Sequence, residues 1–120
     1  MNVKNPELVI VRGINNDWLN KNFSELWIGF GGTAQATPKE DAFYVGLYLS
    51  APVSAIVYIG IVDKIKRYNK GADFYLKSII KLRNPIKPKN AIRKHENWNL
   101  SRLGLNKNDM DDIRNKIRVI

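Results

Sequence analysis

The sequence predicts an α+β fold, a small, mixed and mostly antiparallel β-barrel with a short helix near each end. Apolar runs with strand character follow one another through the middle of the chain, and a capped amphipathic segment lies on either side of them. Such an order favours a barrel over a parallel α/β sheet. The 120 residues contain no visible repeat or linker, so we expect one domain spanning residues 1–120.

The first third of the chain predicts a strand, a helix and a loop. The apolar run Leu8–Val11, followed by Gly13, indicates a buried strand. Asn15–Asp17 is typical of a helix start. The helix that follows is predicted from the spacing of its apolar residues, which are Trp18, Leu19, Phe23, Leu26 and Trp27. The glycines and the proline within Ile28–Lys39 then predict a loop.

The middle of the chain predicts three strands. Phe43–Leu49 forms the first of them, and Ala55–Val62 is so continuously apolar that we expect a central strand buried on both faces. This second strand continues outward through Asp63–Tyr68, and Gly60 within it indicates a bulge or bend. Phe74–Leu82 is the third strand, reached by a turn at Lys70–Asp73.

The last third predicts less regular structure. Pro85 and Pro88 are expected to end the third strand, and Ala91–Leu105 has no clear period. Asn108 and Asp109 then indicate the start of a final helix. Its apolar residues fall on one face and are Met110, Ile113 and Ile117.

Charge is distributed unevenly along the chain. The net charge is +9, but residues 1–60 contribute four basic and five acidic residues, whereas residues 61–120 contribute sixteen and six. A strongly basic half favours a polyanionic partner, in particular DNA or RNA, because Lys and Arg replace the counterions condensed on phosphates. A basic surface that only promotes solubility is the alternative.

Composition also excludes several classes of site. The chain has no cysteine, which excludes disulfides, thiolate metal ligands and a thiol nucleophile, and which suits the cytoplasm. Met1–Asn5 lacks the pattern of a signal peptide. The apolar run Ala55–Val62 is much shorter than the roughly 20 residues of a membrane-spanning helix, so we expect no membrane association.

Several short motifs resemble EVE-type domains of the PUA-like superfamily, which are related to YTH and ASCH domains. The similar features are an Asn–Asp–Trp helix start at 16–18, Leu26–Gly29 with its Trp and Gly, Tyr58–Val62, and Trp98 with Arg102–Leu105 before a capped helix. The resemblance covers nearly the whole chain. It departs from the family where Ile28 separates Trp27 from Gly29 and where 38–41 reads Pro-Lys-Glu-Asp instead of Pro-Gly-Asp.

The resemblance implies a binding module rather than an enzyme. Domains of this kind hold one modified base in a pocket with aromatic walls, beside a basic surface that carries the flanking strand. Carried over to this sequence, the base pocket comprises Trp27, Gly29, Phe30, Gly31, Thr33 and Trp98. The basic residues expected to follow the nucleic-acid backbone are Lys64, Lys66, Arg67, Arg93, Lys94 and Arg102. No cofactor or metal is implied.

Other interpretations of these residues remain open. Trp27 can instead be a core residue, Trp98 can be a hydrophobic plug under a long loop, and the glycines can simply form a flexible loop. His95 and Glu96 are the only pair that resembles catalytic equipment, so a small nuclease or nucleic-acid-modifying enzyme is one alternative function. A basic module that binds an acidic protein is another.

Overall fold

The computed structural model describes residues 4–15, 27–31, 37–92 and 94–115. Apart from Trp27, the apolar residues of the predicted first helix lie outside these residues, as do Gly32, Thr33, Arg93 and Ile117. The described strands are β1 (Asn5–Ile14), β2 (Trp27–Gly31), β3 (Ala42–Leu49), β4 (Ala55–Tyr68), β5 (Gly71–Ile86) and β6 (His95–Asn99). A 3-10 helix follows at Leu100–Leu103, and helix α1 spans Lys107–Asn115.

The six strands form one mixed sheet in the order β2-β5-β4-β3-β1-β6. Only the pair β1–β3 is parallel, and the other four neighbouring pairs are antiparallel. β4 is central, and its first eight residues are almost entirely buried, as the apolar run Ala55–Val62 predicts. The prediction of a mixed, mostly antiparallel sheet with a helix after it is therefore confirmed.

The sheet curls into a half-barrel, and side chains from near its two edges contact each other. β2 and β6 are the opposite edge strands, yet the rings of Phe30 and His95 lie 5.7 Å apart between centroids. Arg12 on β1 also donates from Nε to the carbonyl oxygen of Gly29 on β2, at 3.1 Å. Side chains, rather than a ladder of backbone hydrogen bonds, therefore connect these edges in the described part of the chain.

Each face of the sheet carries its own apolar core. The concave face, on which Phe30 and His95 meet, is filled by residues from β1 to β5, with Phe74 and Val62 fully buried. The convex face is covered by the C-terminal segment, from which Trp98, Leu103 and Ile113 pack onto β1, β3, β4 and β5. Two cores explain why the central strands read as continuous apolar runs rather than as alternating ones.

The loop predicted for Ile28–Lys39, and the helix predicted to end at Trp27, are wrong at 27–31. These residues form β2, which pairs antiparallel with β5 from Trp27↔Tyr75 to Gly31↔Gly71. The physical reason is that the glycines alternate with the buried residues Ile28 and Phe30. Their missing side chains admit close neighbours instead of breaking the strand.

Three further boundaries differ from the prediction. β5 runs through Pro85 to Ile86, because the β4–β5 ladder is already irregular there and the missing proline N–H costs little. The polar segment His95–Asn99 forms an edge strand that buries only Trp98, so it shows no apolar alternation. Helix α1 begins at Lys107, before the predicted cap, because the Asn106 side chain accepts the backbone N–H of Asp109.

The predicted turn and bulge are shifted by one or two residues. The turn between β4 and β5 is made by residues 69 and 70, and Gly71 already belongs to β5. Gly60 pairs regularly with its neighbours, and the register changes after it, between Ile61 and Val62.

Candidate functional site

One part of the convex face, on β2, β5 and β4, carries aromatic and charged side chains instead of an apolar core. Three strands contribute one register row, because Trp27 pairs with Tyr75 and Tyr75 pairs with Lys64. The Lys64 ammonium lies 5.3 Å from the centroid of the Tyr75 ring. We call this surface the convex patch, and its residues are Trp27, Lys64, Lys66, Tyr68, Asp73 and Tyr75.

The alternation of side chains along the strands places these residues on one face. Within β2, Ile28 and Phe30 are buried in the concave core, so Trp27 and Gly29 face the convex side. Asp73 and Tyr75 alternate in the same way with the buried residues of β5, and both are half-buried. Lys66 pairs with Asp73 and is exposed.

Two glycines leave room for the aromatic rings of the convex patch. A Cβ atom on Gly29 would lie 3.1 Å from Cζ3 of Trp27, and one on Gly71 would lie 2.5 Å from Cε2 of Tyr68. Both rings therefore lean over backbone that has no side chain. Larger residues at these positions would push the rings away from the sheet.

Asp73 lies between the two rings. Its Oδ1 accepts a hydrogen bond of 3.0 Å from the Tyr68 hydroxyl, and it lies 3.4 Å from the position of a Cβ on Gly29. The hydrogen bond to Asp73 is the main cause that raises the pKa of Tyr68, with smaller contributions from desolvation and from the charge of Asp73. The phenol remains a donor, and its hydrogen bond restrains the carboxylate.

The structure thus brings together three of the residues singled out from the sequence, Trp27, Lys64 and Lys66. Gly29 and Gly31 lie beside them in β2. Phe30 does not, because its ring packs into the concave core against Phe74, with 5.0 Å between centroids. The part of the predicted base pocket that lies in β2 is therefore divided between the two faces of this strand.

Trp98 lies in the convex core, away from this surface. It is 3% exposed, and its indole N–H donates to Oε1 of Glu96 at 3.0 Å. The guanidinium of Arg102 covers the ring at 3.8 Å from its centroid. These contacts favour the interpretation of Trp98 as a hydrophobic plug, and they engage Arg102 in the same packing.

The other basic residues that were predicted to contact phosphates lie in different parts of the fold. The guanidinium of Arg67 binds Oδ1 of Asp41 at 2.6 Å and the carbonyl oxygens of Pro38 and Glu40, so Arg67 ties the segment before β3 to the end of β4. Lys94 is exposed at the start of β6, on the other edge strand. Of the six predicted phosphate contacts, only Lys64 and Lys66 lie in the convex patch, and Arg93 is not among the described residues.

We call the contact between the two sheet edges on the concave side the seam. It contains a polar cluster, Arg12 and His95, of which sequence reasoning missed Arg12. Arg12 donates from Nη1 to the carbonyl oxygen of Gly13 at 2.8 Å, and its guanidinium lies 5.4 Å from the centroid of the Phe30 ring. Burial lowers the pKa of Arg12. The signal that could have revealed Arg12 is a charged residue inside the apolar strand β1. A charged side chain that faces the interior needs a polar partner there.

His95 is the second polar member of this seam. It pairs with Arg12 across β1 and β6, and its Nδ1 is buried without a hydrogen-bond partner among the described residues. Burial, and then the charge of Arg12, lower the pKa of His95. Glu96 follows it in the strand and binds Trp98 on the opposite face, so the two side chains do not converge on one point.

We expect the free energy of unfolding to decrease as the pH falls below about 6.5, the ordinary pKa of histidine. Because the pKa of His95 is lowered on folding, the unfolded chain binds more protons in this range, and acidification favours it. Urea unfolding of the parent and of His95→Gln at pH 7.5 and 5.5 tests this. The parent should lose more stability than the variant, and equal losses would contradict the assignment.

No family model matches the chain, and neither a curated protein nor a solved structure matches it. Among the described residues, no helix is both long and apolar enough to cross a membrane. The same residues contain no group of three or more His, Asp or Glu side chains arranged to hold a metal ion. The geometry of the convex patch is therefore the main evidence about function.

Proposed function

We propose that this chain is a non-catalytic module that binds single-stranded nucleic acid on the convex patch. The observation that carries the proposal is the register row Trp27–Tyr75–Lys64, which places two aromatic rings and an ammonium group side by side on three adjacent strands. Aromatic side chains on an exposed sheet face are a recurring platform for unpaired bases. The resemblance to EVE-type domains, and a modified base as the ligand, stay predictions.

Stacking would supply the contact with the bases. Trp27 and Tyr75 are half-buried, which leaves part of each ring accessible, and Tyr68 is 54% exposed. A base that stacks on an aromatic side chain gains about 1–3 kcal/mol, whatever its identity. Rows along a strand repeat every two residues, or about 6.6 Å, so Tyr75 and Tyr68 are far enough apart to serve different nucleotides.

Positively charged side chains would supply the contact with the phosphates of the nucleic acid. Lys64 and Lys66 flank the aromatic rings, and both are exposed. The chain as a whole carries a net charge of +9, which attracts polyanions over longer distances. Phosphate contacts made by lysine release counterions, so the affinity must depend on salt.

We expect the salt dependence of binding to depend on these two lysines. For a fluorescently labelled ten-nucleotide single strand, the slope of log affinity against log salt concentration should become shallower by about 1.4 in Lys64→Ala/Lys66→Ala, since each lost contact to a single strand contributes about 0.7. The control is Lys87→Ala/Lys89→Ala, which removes the same charge from exposed residues beyond the far end of β5. Its slope should equal that of the parent.

Three results would overturn the proposal. One is an equal loss in both double variants, which would indicate diffuse attraction rather than a site. Another is the absence of binding by the parent at low salt. The third is equally tight binding of polyglutamate, which would indicate an acidic protein partner.

A further inference from the structure

We infer that Asp73 makes the convex patch selective for guanine, an inference that rests on the proposed function. A carboxylate in the middle of a phosphate-binding surface weakens phosphate affinity. Any favourable contribution of Asp73 to nucleic-acid binding therefore has to come from a contact with another part of the ligand. Asp73 pairs with Gly29 on one side and with Lys66 on the other, and it lies between the rings of Trp27 and Tyr68. The edge of a base stacked on either ring would point toward this carboxylate.

Asp73 is half-buried, so part of this residue stays accessible to a base edge. Gly29 is its partner on β2, and Gly31 and Gly71 form the next register row. The Trp27 ring leans over Gly29 and the Tyr68 ring leans over Gly71, so the two rings lie on either side of the carboxylate. A planar base can therefore reach Asp73 beside the two rings, from the solvent side of the sheet.

One hydrogen bond already holds the carboxylate before any ligand binds. The Tyr68 hydroxyl donates to Oδ1, and within the described part of the chain no hydrogen bond to Oδ2 is seen. Oδ1 also retains a second lone pair. Both oxygens can therefore accept hydrogen bonds from a ligand, and less side-chain freedom is lost when they do.

The chemistry of a carboxylate selects among the bases. A carboxylate only accepts hydrogen bonds. Guanine presents two adjacent donors on its Watson–Crick edge, N1–H and the 2-amino group, which match the two carboxylate oxygens. Adenine and cytosine present one amino group beside a ring acceptor, and uracil presents one N–H between two carbonyl oxygens, so each of these places an acceptor against Asp73.

The test uses single strands of seven nucleotides in ribose and deoxyribose forms. The central base is guanine, hypoxanthine (as inosine) or uracil. The six other bases are uracil, so that only the central position changes. Inosine lacks the 2-amino group of guanine and keeps N1–H. The full chain should bind the guanine strand at least about fivefold more tightly than the other two, the lower end of the range for a bidentate base contact.

Asp73→Asn should abolish this preference, since an amide cannot accept hydrogen bonds at both positions. It should also strengthen binding of the all-uracil strand, since a negative charge is lost. Asp63→Asn is the control, because it removes the same charge from an exposed residue next to Lys64 and should keep the preference. Equal binding of the three strands by the parent, or a preference that survives Asp73→Asn, would overturn the role of Asp73 while the proposed function stands. No binding of any strand by the parent would overturn both.

Discussion

Phe74→Ala should lower the free energy of unfolding by about 3–5 kcal/mol, the usual cost of removing a buried phenylalanine. Phe74 is 0% exposed, and it is the largest fully buried side chain among the described residues. It pairs with Ile28 on β2 and with Ile65 on β4, and its ring packs edge-on against Phe30. Its removal would leave a cavity where three strands share the concave core.

Urea unfolding at neutral pH measures this loss, and Tyr75→Thr is the matched control. Tyr75 is the next residue of β5, but it faces the convex side and is half-buried, so its replacement by another strand-forming residue should cost less than about 1 kcal/mol. Phe74→Leu should lie between the two, which keeps the measurement informative if the alanine variant does not fold. Equal losses for Phe74→Ala and Tyr75→Thr would contradict the assignment of the two faces.

Local pattern was sufficient to predict the central strands. β3 and the first eight residues of β4 are continuous apolar runs, and their burial does not depend on details of their partners. β2 and β6 could not be found in this way. β2 contains two glycines and β6 is mostly polar, and each is a strand because of the backbone that it pairs with, which is a non-local interaction.

The candidate site was predicted only in part, for the same reason. Trp27 and Lys64 stood out in the sequence as an aromatic residue near glycines and as part of a basic cluster. That they belong to one surface depends on the register of two strand pairs, which also brings Tyr75 between them. Arg12 was missed because its partner, the carbonyl oxygen of Gly29, lies across the curled sheet.

The same register decides which tryptophan is suited to contact a ligand. Trp27 is half-buried on the convex patch, whereas Trp98 is 3% exposed under Arg102. Replacing them should therefore separate binding from stability. We expect Trp98→Ala to destabilise the fold by about 3–5 kcal/mol, since it removes a core side chain.

Trp27→Ala should instead weaken binding of a single strand by roughly 5- to 150-fold, which corresponds to the loss of one stacked base worth about 1–3 kcal/mol. The parent and the variant should be compared by fluorescence anisotropy at one salt concentration, together with their urea unfolding curves. Trp27→Phe is the control that keeps a smaller ring, and it should recover most of the affinity. A Trp27→Ala variant that unfolds would identify Trp27 as a core residue of the convex face. A folded variant that binds as tightly as the parent would show that the ligand binds away from the row Trp27–Tyr75–Lys64. Stacking on that row cannot leave the affinity unchanged when its largest ring is removed.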